Sequence, residues 1–259
     1  MNERRVLVGI DAAATVELAA DLLASIAREA VNTRGQFTLA LSGGTTPQAL
    51  YRDLATPRRV ESVPWQQTRI FFGDERDVHA DHADSNYSMA QRTLLEDVPL
   101  RLENVHPMHA DADDLDQAAA QYAARISDLV PAGSAGLPAF DLILLGIGAD
   151  GHTASLFADT PALDETSKLV VTQFVPAVGR RRMTFTFSLI NAARNVLCLV
   201  TGPEKAEAVS KVLSDDPAVA QSLPAGRIHP TDGTLHFVLD AHAARQVPHG
   251  PPSAASGDR

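Results

Sequence analysis

Residues Phe140–Phe157, FDLILLGIGADGHTASLF, contain an apolar run, Leu142–Leu145 and then Ile147, that is hydrophobic at successive positions rather than at alternate ones. Such a run fits a strand covered on both faces, and strands of that kind belong to parallel sheets flanked by helices. The run breaks at Gly146-Ile147-Gly148 and leads at once to Asp150, Gly151 and His152. In an open α/β sheet, ligands bind beyond the carboxyl ends of the strands. A carboxylate and an imidazole two residues apart therefore stand where chemistry is usually done. His152 is a candidate general base, because the ordinary imidazole pKa of about 6.5 lies near neutrality, and Asp150 is a candidate to orient or polarise it. The alternative is a polar turn with a capping Asp and a solvated His.

The rest of the chain repeats the pattern. Strands are expected at Val6–Ile10, Thr38–Ser42, Ile70–Gly73, Val105–His109, Leu142–Ile147, Leu169–Phe174, Met183–Phe187, Val196–Thr201 and Leu235–Asp240. Between them, Val16, Leu22, Leu23, Ile26, Ala27 and Ala30 mark an amphipathic helix starting near Thr15. Leu115, Ala118, Ala119, Tyr122, Ile126 and Leu129 mark a second after Asp113. Shorter helices follow Thr46, Ser85 and Thr201, each with an N-cap residue. This alternation predicts an α/β fold with a largely parallel, twisted sheet and helices on both faces. Alternating Met183, Phe185 and Phe187 have the period of a strand, so a smaller antiparallel or irregular portion is expected in the second half. The Gly/Pro-rich stretch 131–138 invites a domain boundary, but neither flank has enough strands for its own sheet. A single domain over residues 1–247 is expected, with a disordered low-complexity tail at 248–259.

Charge and composition narrow the function classes. The net charge is −10 and the one basic run is Arg180-Arg181-Arg182, which argues against nucleic acid and anionic membranes as partners. No apolar run reaches membrane-spanning length, and the N-terminus shows no secretory signal. The single cysteine, Cys198, lies in an apolar run and suits a reducing cytoplasm. An anionic small molecule remains open as a ligand, since a few local cations and backbone amides can hold it against the global charge.

Three further segments carry candidate chemistry. LALSGGTTPQALYRDL reads as strand, Gly-containing loop and helix, with Thr46 as N-cap and Pro47 at the first helical position. Ser42, Gly43, Gly44 and Thr45 then form a generic anion cradle at a helix N-terminus, or a ligand-free turn with the same residues. RIFFGDER places Asp74, Glu75 and Arg76 directly after a buried strand. Arg76 is a candidate phosphate ligand whose fork Asp74 or Glu75 would fix, or else one half of a surface ion pair. In Thr201-Gly202-Pro203-Glu204-Lys205, Thr201 and Glu204 fit a capping box and Lys205 falls in the helix's first turn. A cation there faces the positive end of the dipole, a mismatch that a bound anion relieves, or else Lys205 is a solvated lysine whose small cost is tolerated. Nine histidines raise the question of a metal. The His79–Asp84 stretch fits a polar loop as well as a ligand set, and no metal is expected.

In their order along the chain, LSGGTTPQALY, FFGDERDV, SNYSMA, GIGADGHTASLF, RRMTFTFSLINAARNVLCLVTGPEKA and LHFVLDAHAA resemble the glucosamine-6-phosphate isomerase/6-phosphogluconolactonase family, on its lactonase side. The resemblance spans nearly the whole chain outside the tail. It implies the Rossmann-like sugar-phosphate isomerase/lactonase fold and hydrolysis of 6-phosphoglucono-δ-lactone in the pentose phosphate pathway, with no cofactor. It also implies His152 as the base that activates water, Asp150 in support, Arg76 and Lys205 as substrate clamps, and Ser42–Thr45 as the phosphate loop. The expected partner is a small sugar-phosphate lactone, and the chain is expected to be a monomer or weak homo-oligomer. Ala158 and His79 stand where the family often has proline, which bears on loop stiffness and removes no reacting group. The family's deaminases follow the G-x-D-G-H motif with Phe-Asn-Glu; here Ala154-Ser155-Leu156-Phe157 stand instead, and that carboxylate is missing.

Overall fold

The computed structural model describes residues 3–247, so the tail expected at 248–259 lies outside the described residues. Nine strands and seven α-helices alternate in it: β1 (Glu3–Gly9), α1 (Ala12–Arg34), β2 (Phe37–Leu41), α2 (Thr45–Leu54), β3 (Thr68–Phe72), β4 (Asp74–Arg76), α3 (Asn86–Ala90), α4 (Leu115–Leu129), β5 (Leu142–Leu145), β6 (Val170–Val175), β7 (Arg180–Phe185), α5 (Phe187–Ile190), β8 (Asn195–Val200), α6 (Ala206–Val212), α7 (Pro217–Ala220) and β9 (Thr234–Asp240). Six strands form one sheet in the order β1-β9-β8-β5-β2-β3, with every pairing parallel. Its centre is covered on both faces: every residue of β2 and β5 is buried. A second sheet, β4-β7-β6, is antiparallel. Among the described residues no helix is long and apolar enough to cross a membrane.

Local chemistry accounts for several boundaries that periodicity misplaces. α1 begins at Ala12, three residues before Thr15, because the Asp11 side chain caps the N–H of Ala14 at 2.8 Å. It ends at Gly35, whose φ of 75° is left-handed and whose N–H closes on Val31 O. α2 begins at Thr45 with Gly44 as its N-cap, not at Thr46. Pro47 therefore occupies the third helical position, where its missing N–H still falls among the donors that no intrahelical acceptor needs. Ser85 caps α3 as expected, accepting from Ser88 N at 3.1 Å. Thr201 does not cap its helix: Gly202 takes that place with φ 103°, and the Thr201 hydroxyl instead pairs with Thr46 Oγ1 at 2.8 Å.

Two strand expectations need correction. Val105–His109 is not a strand; it touches the sheet only at an isolated Ile70–Val105 bridge. Pro107 cannot donate to a ladder, which ends the pairing there. Conversely, Asp74–Arg76 is a strand rather than a charged loop. The chain leaves β3 at Phe72 and passes Gly73, which still bonds to Leu41 O. It then enters the second sheet as β4, so a strand from the first half pairs with β7 from the second.

This topology fixes where a ligand can reach. From β2 the chain moves outward to β3 on one side, and from β5 it moves to β8 on the other. The loops after β2 and β5 part at this reversal and open a crevice at the carboxyl ends of the strands, the usual ligand position in such sheets.

Candidate active site

The crevice holds a cavity of about 210 Å³ lined by Ser42, Gly43, Gly44, Thr45 and Thr46 after β2, by Asp74 and Arg76 of β4, by Gly146–Gly148, His152 and Ala154 after β5, and by Thr201 and Lys205 after β8. Residues 42–45, Arg76, His152 and Lys205, all singled out in the sequence, thus share one wall-to-wall site. Asp150 does not line it and stands behind His152.

The loop after β5 is folded tightly on itself. Gly148 N donates to His152 O at 2.8 Å, Gly151 N to Gly148 O at 2.9 Å, and Thr153 Oγ1 to Gly146 O at 2.9 Å. Gly151 takes φ 79°, and a Cβ on it would press into Leu223. The result orients the imidazole. His152 Nδ1 lies 2.5 Å from Asp150 Oδ1, and the Phe157 ring stacks on the imidazole at 4.1 Å and 18°. Burial works to raise the Asp150 carboxyl, but the hydrogen bond and charge of His152 outweigh it and hold the group below the usual range. An ionised carboxylate on Nδ1 favours the tautomer with its proton there and leaves Nε2 as the basic nitrogen.

The opposite wall is the anion cradle. Gly44 has φ 105°, a conformation that suits glycine, and the N-terminal turn of α2 follows directly, with backbone N–H groups free of intrahelical partners. A Cβ on Gly43 would sit 1.9 Å from Asn86 Oδ1, so the loop packs closely against α3.

The acidic pair before Arg76 does not act as the sequence suggested. Glu75 turns away from the guanidinium and accepts from Ser85 Oγ, from Asn86 N and Tyr87 N at 2.8 Å each, and from Arg76 N at 2.9 Å. Burial pushes this carboxyl above its ordinary value, against those N–H groups. Asp74 accepts from Ser155 Oγ at 2.7 Å and Asn86 Nδ2 at 3.2 Å. The Arg76 guanidinium is held instead by Asp84 O, and its Nε is buried without a hydrogen-bond partner. A neutral backbone carbonyl positions this cation without neutralising it.

Arg182 is assigned no role by the sequence beyond its place in the one basic run. It stands directly across the β4–β7 ladder from Arg76, on the face that also carries Asp74 and Thr184. Its Nε is likewise buried and unpartnered, and burial, followed by the charge of Arg76, pushes it below the ordinary arginine value. Two adjacent guanidiniums are an arrangement that an anion stabilises. A signal was present: with Met183 and Phe185 facing inward, Arg182 and Thr184 must share the other face. The His79–Asp84 stretch, by contrast, forms an exposed turn in which the two imidazoles accept from Asp81 N and Asp84 N. Among the described residues no three His, Cys, Asp or Glu side chains converge as a metal would need.

Residues 10–237 match the family described as glucosamine-6-phosphate isomerases/6-phosphogluconolactonase. The chain is 42% identical over 219 residues to a 6-phosphogluconolactonase of Synechocystis sp., covering 85% of this chain and 88% of that one. Its structure is similar to that of 6-phosphogluconolactonase from Trypanosoma brucei, with a TM-score of 0.82 at 30% identity over 95% of this chain and 99% of that one. A monomeric glucosamine-6-phosphate deaminase, at 23% identity over 93% of this chain and 99% of that one, shares the fold with a TM-score of 0.76. The chain belongs to the glucosamine-6-phosphate isomerase/6-phosphogluconolactonase family.

Proposed function

We propose that this protein hydrolyses 6-phospho-D-glucono-1,5-lactone to 6-phosphogluconate, the lactone step of the oxidative pentose phosphate pathway, as a carboxylic ester hydrolase. One observation carries the reading: a histidine oriented by a carboxylate shares a small cavity with a helix-N-terminal glycine loop and two cations, Arg76 and Lys205. The loop and the cations suit a phosphate, and the histidine suits activation of water. The relatives named 6-phosphogluconolactonase support the substrate class. Where the deaminase pattern has its carboxylate, this chain has Leu156, fully buried, and Phe157, stacked on the base.

The chemistry is then economical in parts. The substrate phosphate sits against Ser42–Thr45, Arg76 and Lys205, with Arg182 as an added cation. That contact sets the lactone carbonyl before His152. Nε2 of His152 takes a proton from water as the water oxygen bonds to C1. The tetrahedral intermediate collapses with cleavage of the bond from C1 to the ring oxygen, and the imidazolium returns its proton to that oxygen. Asp150 keeps the ring in place and stabilises the imidazolium. An activated ester needs no covalent intermediate for this route. Residues 1–247 serve as one catalytic domain in this reading, supported by a single core cluster among the described residues that runs from Ala19 to Ala243.

His152→Ala is the direct test. A general base contributes about 10²–10⁴-fold, so enzyme-dependent hydrolysis of freshly made lactone should fall by that factor while the thermal midpoint stays near that of the wild type. A folded His152→Ala protein with near-normal turnover contradicts the assignment of the base.

A further inference from the structure

The anion loop leaves the sheet where strand pairing stops. β2 pairs with β3 as far as Leu41 and with β5 only at Leu39 and Ala40. The N–H and C=O of Ser42 lie past both ladders, yet Ser42 is buried. Buried backbone groups need partners. A single side chain supplies both: the Tyr51 hydroxyl accepts from Ser42 N at 2.9 Å and donates to Ser42 O at 2.7 Å. One phenol thus stands in for two neighbouring strands, and the chain can turn into the cavity without returning to the sheet.

Tyr51 belongs to α2, the helix that begins at the far end of the same loop. The loop is therefore tied at Ser42 by Tyr51 and at Thr46 by the hydroxyl of Thr201. Between these ties, Gly43 has Asn86 directly against it. Tyr51 is fully buried, and burial holds its phenol well above the ordinary value, so the donor proton stays in place throughout the working pH range. Tyr122 provides a matched comparison. Its hydroxyl accepts from Phe72 N and donates to His106 O, each at 2.9 Å, at the end of the adjacent strand β3, and it does not line the cavity.

We infer that Tyr51 is a positioning residue for anion recognition: its hydroxyl fixes Ser42, and through Ser42 presets the loop that receives the substrate's phosphate. The inference rests on the function proposed above. A loop that is already ordered loses little freedom when the phosphate arrives, whereas a loosened one must be ordered by the ligand, and apparent affinity falls by that difference. The effect is confined to the phosphate end of the substrate.

The test compares Tyr51→Phe with Tyr122→Phe on the full chain, using 6-phosphogluconolactone and unphosphorylated glucono-1,5-lactone below both thermal midpoints. Each variant loses one buried hydroxyl and its hydrogen bonds to backbone, so each should lower the midpoint. Only Tyr51→Phe should raise KM for the phosphorylated lactone, by about tenfold, with its kcat/KM on the unphosphorylated lactone within about twofold of the wild type. Amide hydrogen exchange at Ser42 should speed up in Tyr51→Phe and not in Tyr122→Phe. Equal losses on the two lactones, the same KM shift in both variants, or a Tyr51→Phe chain that never folds would each reduce Tyr51 to a structural residue and overturn the inference. A wild type with no preference for the phosphorylated lactone overturns the proposed function as well, so the two failures are distinguishable.

Discussion

At the scale of single residues, a few close contacts fix the orientation of His152. The imidazole is bounded by Asp150 on Nδ1, by Phe157 on one face, and by the backbone of Gly148. A Cβ on Gly148 would lie 2.1 Å from His152 Nδ1 and 2.4 Å from Asp150 Oδ1, closer than real carbon contacts allow. Gly148→Ala must therefore push apart the two groups whose mutual geometry sets the base. A displacement of about 1 Å at a reacting group can cost on the order of 10²-fold, so kcat should fall by about that factor while the thermal midpoint moves by only a few degrees. Steady-state kinetics beside a thermal melt check this. Normal kcat would mean that the ring tolerates displacement and that its orientation matters less than stated. Arg182 belongs to the same scale. It was legible in principle from the alternation of Met183 and Phe185, but only β4 beside it gives that face a purpose.

At the scale of elements, apolar patterning located most strands and both long helices, because burial on one or two faces is written directly into residue type. Starts and stops were less legible wherever a polar atom decided them. Asp11 moves the start of α1, Gly44 moves the start of α2, and Pro107 prevents a strand. β4 was illegible for a different reason: Asp74-Glu75-Arg76 reads as exposed charge, and its burial depends on Ser85, Asn86, Tyr87 and Ser155, which the fold brings from elsewhere. Two buried histidines also acquire their behaviour from packing. Burial, with Arg125 and Arg69 nearby, pushes His106 down to about 4, and burial, with Arg5 nearby and partly offset by Glu3, does the same for His236. Both are neutral in the folded state well below the ordinary value of about 6.5, so the unfolded chain binds more protons between those limits. Stability is complete above about pH 6.5 and declines as pH falls toward 4. The expected loss by pH 5 is about 2 kcal/mol per histidine, read from denaturant unfolding at pH 7 and pH 5. If a His106→Gln/His236→Gln chain shows the same pH slope as the wild type, the buried histidines are not its source.

At the scale of the whole molecule, an acidic chain keeps a cationic crevice. The net charge is −10, yet Arg76 and Lys205 line the crevice beside a glycine loop and a helix N-terminus, and Arg182 stands across the ladder from Arg76. Their gathering follows from topology: parallel pairing brings the ends of β2, β5 and β8 together, and the passage of β3 into β4 adds the second sheet as a wall. The members of the site other than Arg182 could be picked from sequence because their loops follow apolar runs. Their supports could not, since Tyr51, Asn86 and Ser155 read as ordinary helix or loop residues until the fold places them under the site. The central claim, lactone hydrolysis rather than amino-sugar deamination, is tested most directly by giving the purified wild-type protein each substrate in turn. Hydrolysis of fresh 6-phosphogluconolactone is expected well above its spontaneous rate, with no ammonia from glucosamine 6-phosphate, because Leu156 and Phe157 cannot move the proton that ring opening requires. Ammonia release at a rate rivalling lactone hydrolysis, or lactone hydrolysis no faster than the background, would contradict it.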